Sequence, residues 1–211
     1  MQILFSKSQI VFLKKIENEM NKNRLEAFSD GVIAIIITIM VLEFKVPHES
    51  GLKALISLLP TFFCYALSFI FIGIYWGNHH HLLHVVKHVN SGIMWSNLNL
   101  LFWLSLVPFA TNWMGENNFA ASTVACYAVL LNICGISYTI LQQTIMSCHQ
   151  LSPEILSALK KQSRKGIFSL VGYTSAIPLA FVSPILSEIL FVLVAIMWII
   201  PDKNIERAIK E

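Results

Sequence analysis

Of the seven histidines in this chain, five fall between positions 79 and 88, in the run Trp76-Gly-Asn-His79-His80-His81 followed by His84 and His88. On a helix His80, His84 and His88 share one face, because residues four apart lie one above the other. Imidazoles at that spacing can chelate zinc, but a closed site wants four ligands. No carboxylate or cysteine lies near them along the chain, so the residues point away from a metal and no ligand set is assigned. Three other uses stay open: anchoring at a membrane interface, partnering an acid, and relaying protons through groups that titrate near neutrality.

A second cluster lies at 24–30, where Arg24, Glu26, Ser29 and Asp30 precede an apolar stretch running to Leu42. An ionised acid at the edge of a membrane span is costly, so Asp30 requires a protein partner or water. Beyond it, Gly31, Ile35, Thr38 and Leu42 fall at i, i+4, i+7 and i+11, one helical face. That face carries a single hydroxyl among branched aliphatics. Taken alone it suits helix packing, with Gly31 for close approach and Thr38 bonding its own i−4 carbonyl.

Membrane helices must position both clusters. Hydrophobic residues make up 55% of the 211 residues and charged residues 13%, and the mean hydropathy is +0.65. An average soluble chain carries about 25% charge; a soluble domain or a disordered chain is excluded, and four cysteines make no disulfide scaffold. A span needs about 20 mostly apolar residues. Six are expected: Ala27–Val46, Leu52–Gly77, Ser91–Trp113, Phe119–Ser147, Gly166–Val182 and Ile185–Ile200. The last two form one apolar run broken at Pro178, Ser183 and Pro184, with Glu188 close by, which suits a helical hairpin. Continuous apolar runs indicate an all-α membrane protein, since barrel strands would alternate at period two.

Of the 15 Lys and Arg residues, only Lys45 and Lys53 fall on one side of these spans. The remainder lie in the leader, the tail and the connections after spans two and four. The positive-inside rule then places both termini in the cytoplasm. The expected organisation is a leader at 1–23 that forms an interfacial helix, a transmembrane domain at 24–200 and a tail at 201–211. Ser152, Pro153 and Glu154 start a short surface helix within Gln150–Lys165, and the cysteines are expected to be free thiols inside the spans. No hydrolase, zinc-protease, phosphate-loop or dinucleotide motif is present, and the aqueous loops are too short to hold a domain. An enzyme is not expected. A secondary transporter would need inverted repeats with broken helices, and only the 178–184 region suggests a break.

Arg24-x3-Phe28-Ser29-Asp30-Gly31, with Thr38 and Pro47 downstream and Trp76-x2-His79-His80 ending span two, resembles a known signature. It is similar to the opening helix of the transmembrane protein 175 family of potassium channels, in its prokaryotic branch. The resemblance covers the whole six-span length. It implies a homotetramer in the cell membrane, with the first helix of each subunit lining a central pore that conducts K⁺ or, less selectively, other monovalent cations. The TVGYG filter of ordinary potassium channels is absent from such proteins and from this chain.

Residue by residue, the resemblance makes Ile35 the apolar constriction and gate, and Thr38 the hydroxyl ring that contacts the ion. Gly31 and Leu42 become pore-lining. Arg24, Phe28, Ser29 and Asp30 become a polar network tied to Trp76 and His79, with Arg24 neutralising Asp30. Glu43, at the outer mouth, would concentrate cations. The implied partners are the bilayer and three further copies, with no cofactor beyond the permeant K⁺ and no nucleic acid. The rival function is a transporter or proton-coupled protein using Asp30 and the histidines from His79 to His88.

Overall fold

The computed structural model describes residues 7–48 and 51–199, with side chains from position 21 onward. The expected tail at 201–211 and residues 1–6 of the leader lie outside the described residues. The described chain is all helix: α1 (Lys7–Leu42), α2 (Leu52–Ile56), α3 (Leu59–His84), α4 (Ser91–Ser105), α5 (Val107–Glu116), α6 (Ala121–Cys148), α7 (Pro153–Val182) and α8 (Pro184–Ile199). Among the described residues five segments are long and apolar enough to cross a membrane: Asn21–Leu42, Leu59–His84, Ser91–Glu116, Ala121–Cys148 and Pro153–Val182. The shorter α8 is apolar along its 16 residues.

Several boundaries differ from expectation, each for a local reason. Among the described residues α1 runs unbroken from Lys7 into the first span, with no break between leader and span. It stops at Leu42 instead of Val46: Pro47 disfavours helix before it, and Lys45 is drawn to Glu116 at 2.5 Å. That carboxylate accepts a hydrogen bond from the Lys45 ammonium and holds its pKa above the ordinary value. The second span starts later and ends later, since Pro60 opens α3 and Gly77 passes through it without a break. The third span is two helices, α4 and α5, hinged at Leu106 beside Pro108.

The largest difference is in α7. The helix expected to start at Ser152 is not a separate surface helix: Pro153–Lys165 opens a 30-residue helix that continues as the fifth span. Ser152 does cap it, accepting from the Ile155 N–H at 3.4 Å. Thirty residues extend about 45 Å, beyond the roughly 30 Å of hydrocarbon, so one helix holds both the basic half and the apolar half. The hairpin expectation holds: Ser183 alone separates α7 from α8, and the Ser187 hydroxyl donates to the Ala176 carbonyl at 2.8 Å across it.

Packing centres on α6, which lies against α4, α5, α7 and α8, while α1 lies against α3, α4 and α5. Helices α3 and α5 approach closely at Gly115, where an added Cβ would sit 2.8 Å from the Thr61 Cα of α3. A buried triangle of hydroxyls joins three helices: Ser68 of α3 lies 2.7 Å from both Thr111 of α5 and Tyr127 of α6. All four cysteines are free thiols on helices; Cys64 and Cys134 are buried, whereas Cys126 is exposed.

Candidate functional site

Two stripes divide α1. Ser29, Ile33, Ile36 and Met40 are buried against the subunit. Arg24, Phe28, Gly31, Ile35, Thr38 and Leu42 follow the same spacing on another face and are exposed. Ile35 is 58% and Leu42 78% exposed, against 1% for Ile33. The packing role considered for Gly31 is not found inside the subunit, where nothing comes within 4 Å of the place its Cβ would take. The Thr38 hydroxyl lies 2.9 Å from the Ile35 carbonyl and 3.1 Å from that of Ala34. Its proton is spent on the helix backbone, so the oxygen offers only lone pairs to whatever faces it.

Beside this stripe an open groove of about 400 Å³ is lined by Ile35, Ile39, Phe109 and Asn112, among others, where the α4–α5 hinge stands off α1. Glu43 closes its end and accepts a hydrogen bond from Asn112 at 3.3 Å.

Ser29 and Asp30 are the polar residues that tie α1 to its neighbours. The Trp76 indole N–H donates to Asp30 Oδ1 at 3.0 Å. His79, buried, lies 2.6 Å from Asn97 Oδ1; Asn97 Nδ2 donates to the Ser29 hydroxyl at 2.9 Å, and Ser29 donates to the Leu25 carbonyl at 2.8 Å. Because Asn97 presents its oxygen to His79, the proton of that contact sits on His79 Nε2. One directed chain thus joins α3, α4 and α1.

Arg24 and Phe28 fall outside this network. Among the described residues no hydrogen bond or ion pair joins Arg24 to Asp30, and both Arg24 and Phe28 lie on the exposed stripe. Six residues along a helix point to different faces, so within the subunit Asp30 takes a hydrogen bond from the Trp76 indole and none from Arg24. Asn97 was missed in the sequence, although an amide inside an apolar span is the usual mark of a polar network.

Of the histidines expected on one face, His80 and His84 share it, their rings 5.7 Å apart, whereas His88 lies beyond the end of α3, its ring 4.6 Å from that of His149. His80 Nδ1 lies 2.9 Å from Glu26 Oε1 on α1. The carboxylate that the sequence lacked locally is thus supplied from 54 positions away. Trp76 stacks on His80 at 6.3 Å, and Lys22 donates to the His84 carbonyl at 2.9 Å.

A family described as "Endosomal/lysosomal potassium channel TMEM175" matches residues 24–108, from the middle of α1 through α2, α3 and α4 to the first residues of α5. A protein named as a potassium channel in Chryseobacterium sp. is 49% identical over 192 residues, covering 91% of this chain and all of that one. This chain belongs to the TMEM175 family. A potassium channel so named in Streptomyces collinus is 32% identical over 170 residues, covering 76% of this chain and 82% of its own. The fold of this TMEM175 protein matches the crystal structure of a lysosomal potassium-selective channel TMEM175 homolog from Chamaesiphon minutus. The TM-score is 0.73 at 28% identity, over 84% of this chain and 95% of that one. Five apolar helices and this family membership make the chain a multi-pass membrane protein.

Proposed function

We propose that this chain is a potassium channel of the cell membrane, with six spans per subunit, both termini in the cytoplasm, and a pore lined by α1 of four copies. The observation that carries the reading is the uncovered stripe of α1. A subunit that buries Ser29, Ile33, Ile36 and Met40 leaves Gly31, Ile35, Thr38 and Leu42 outside its own core. Around a shared axis, copies of Thr38 would turn hydroxyl lone pairs to the path and replace part of an ion's hydration shell. Copies of Ile35, one turn away, would form a ring that water enters reluctantly, the constriction and gate. Glu43 would draw cations to the outer mouth. Membership in a family whose bacterial relatives are named potassium channels supports the ion, and no cofactor is required.

The rival proton-coupled reading finds little support in the geometry. His80 keeps His81 and His84 ring against ring, but His79 faces Asn97 and His88 faces His149, so the five histidines do not form one wire. Single-channel recording from purified protein in lipid tests the proposal. Unitary currents that reverse near the K⁺ equilibrium potential are expected. Saturable coupled flux, or silence from an intact assembly, would overturn it.

A further inference from the structure

Glu26, His80 and His84 form a group that the conduction path does not use. Their ligating atoms all lie within 4.8 Å of one another. One helix, α1, supplies the carboxylate, and another, α3, supplies two imidazoles one turn apart. The side chains stay accessible, that of His80 being 44% exposed and that of Glu26 19%. We propose that this triad binds a divalent transition metal, with zinc as the reference ion, and that the bound ion clamps the basic end of α1 to α3.

The donor set selects the class of ion. Two imidazole nitrogens and one carboxylate oxygen suit zinc and its neighbours, whereas calcium and magnesium prefer oxygen alone. The geometry needs only side-chain adjustment. Bonds of about 2.0–2.1 Å in a tetrahedral site set the donor atoms roughly 3.3 Å apart. Glu26 and His80 already stand at 2.9 Å, and His84 has to close the rest by rotating about its own side chain. Three protein ligands leave a fourth position for water, as in open zinc sites. The nearby charges oppose each other: the Glu26 carboxylate attracts the ion, while Lys22, whose ammonium binds the His84 carbonyl at 2.9 Å, repels it. A reversible site follows, rather than a structural one. His79 and His88 contribute nothing, since they are engaged with Asn97 and His149.

Binding does not rest on the channel reading; only an effect on ion flux would. The full chain in detergent, freed of any polyhistidine tag, is titrated with zinc chloride by calorimetry and with cobalt chloride by visible absorption. One zinc per chain and a tetrahedral cobalt band are expected, with a higher Tm when zinc is present. His84→Gln and Glu26→Gln should each weaken binding at least about tenfold, the loss typical even of outer-shell partners, and should abolish the Tm shift. His88→Gln should change neither. Lys22→Gln, which removes no ligand, should tighten binding and so gives a test that survives if a ligand variant fails to fold. The proposal is overturned by uptake that never saturates, by affinity that survives His84→Gln and Glu26→Gln, by loss on His88→Gln, or by weaker binding in Lys22→Gln. Zinc that binds as expected to a chain carrying no K⁺ current would sink the channel reading and leave the metal site standing.

Discussion

Asn97 is the side chain through which α1, α3 and α4 share one polar chain, and it has no exposed surface. Removing it strands the His79 Nε2 donor and takes a donor from the Ser29 hydroxyl, both of them buried. A buried group left unsatisfied costs about 1–3 kcal/mol, so Asn97→Ala should lower the thermal midpoint of the solubilised protein clearly. Asp30→Asn should be milder, because an amide oxygen can still accept from the Trp76 indole at that partly exposed position. If Asp30→Asn proves the more damaging variant in parallel melts, the Asn97 chain is not what holds α1. Thr38 calls for an electrical measurement. Its proton is tied to the backbone, so Thr38→Ala should leave the helix intact and remove only the outward oxygen, lowering the K⁺/Na⁺ permeability ratio while current persists. Thr38→Ser keeps that oxygen and should retain most of the ratio. A reversal potential under bi-ionic conditions that does not move in Thr38→Ala would count against the hydroxyl ring.

At the scale of elements, the contact between α5 and α3 at Gly115 leaves no room for a larger side chain. Gly115 meets the Thr61 backbone, not a flexible side-chain tip, so the two helices must separate to admit a methyl group. Overpacking of this kind costs about 1–3 kcal/mol. Gly115→Ala should therefore melt lower than wild type, whereas Gly166→Ala, with open space around its Cβ, should melt no lower. Equal midpoints for the two variants would contradict the close approach. Apolar run lengths and the periodicity of α1 were legible in the sequence: the first span, the grouping of Gly31, Ile35, Thr38 and Leu42 on one face and the hairpin at Ser183 could all be found there, though not that the face is left bare. The continuity of α7 was not. Its change from a basic, amphipathic half to an apolar half resembles a boundary, yet neither Lys165 nor Gly166 stops the helix. Nor were the partners across helices legible, such as Glu26 with His80, Asn97 with His79 or His88 with His149, because spacing reports only local neighbours. For that reason the histidines could be grouped by position but not assigned.

For the whole molecule, the open question on one subunit is what covers the stripe of α1 that the subunit leaves bare. Lipid would cover Ile35 and Leu42 well enough, but it has no use for the Thr38 lone pairs or for Glu43 at the end of the adjoining groove. Copies of the same helix around an axis account for all four positions, and α1 is free to take that place because its opposite stripe is already packed against α3, α4 and α5. The two coverings make opposite forecasts for a polar residue at position 35. In a lipid-facing or tightly packed position, Ile35→Asn would expose or bury an unpaired amide, at a cost of several kcal/mol, and the assembly would weaken. In a pore the same amide meets water and ions, wets the narrowest ring and lowers the barrier to conduction. Ile35→Asn should therefore give larger K⁺ flux in proteoliposomes from a protein whose size-exclusion profile and mass match the wild-type assembly. Ile35→Ala should act in the same direction by widening the ring. A dissociated, silent Ile35→Asn protein would place Ile35 in a contact instead of a pathway, and the uncovered stripe of α1 would then need another partner.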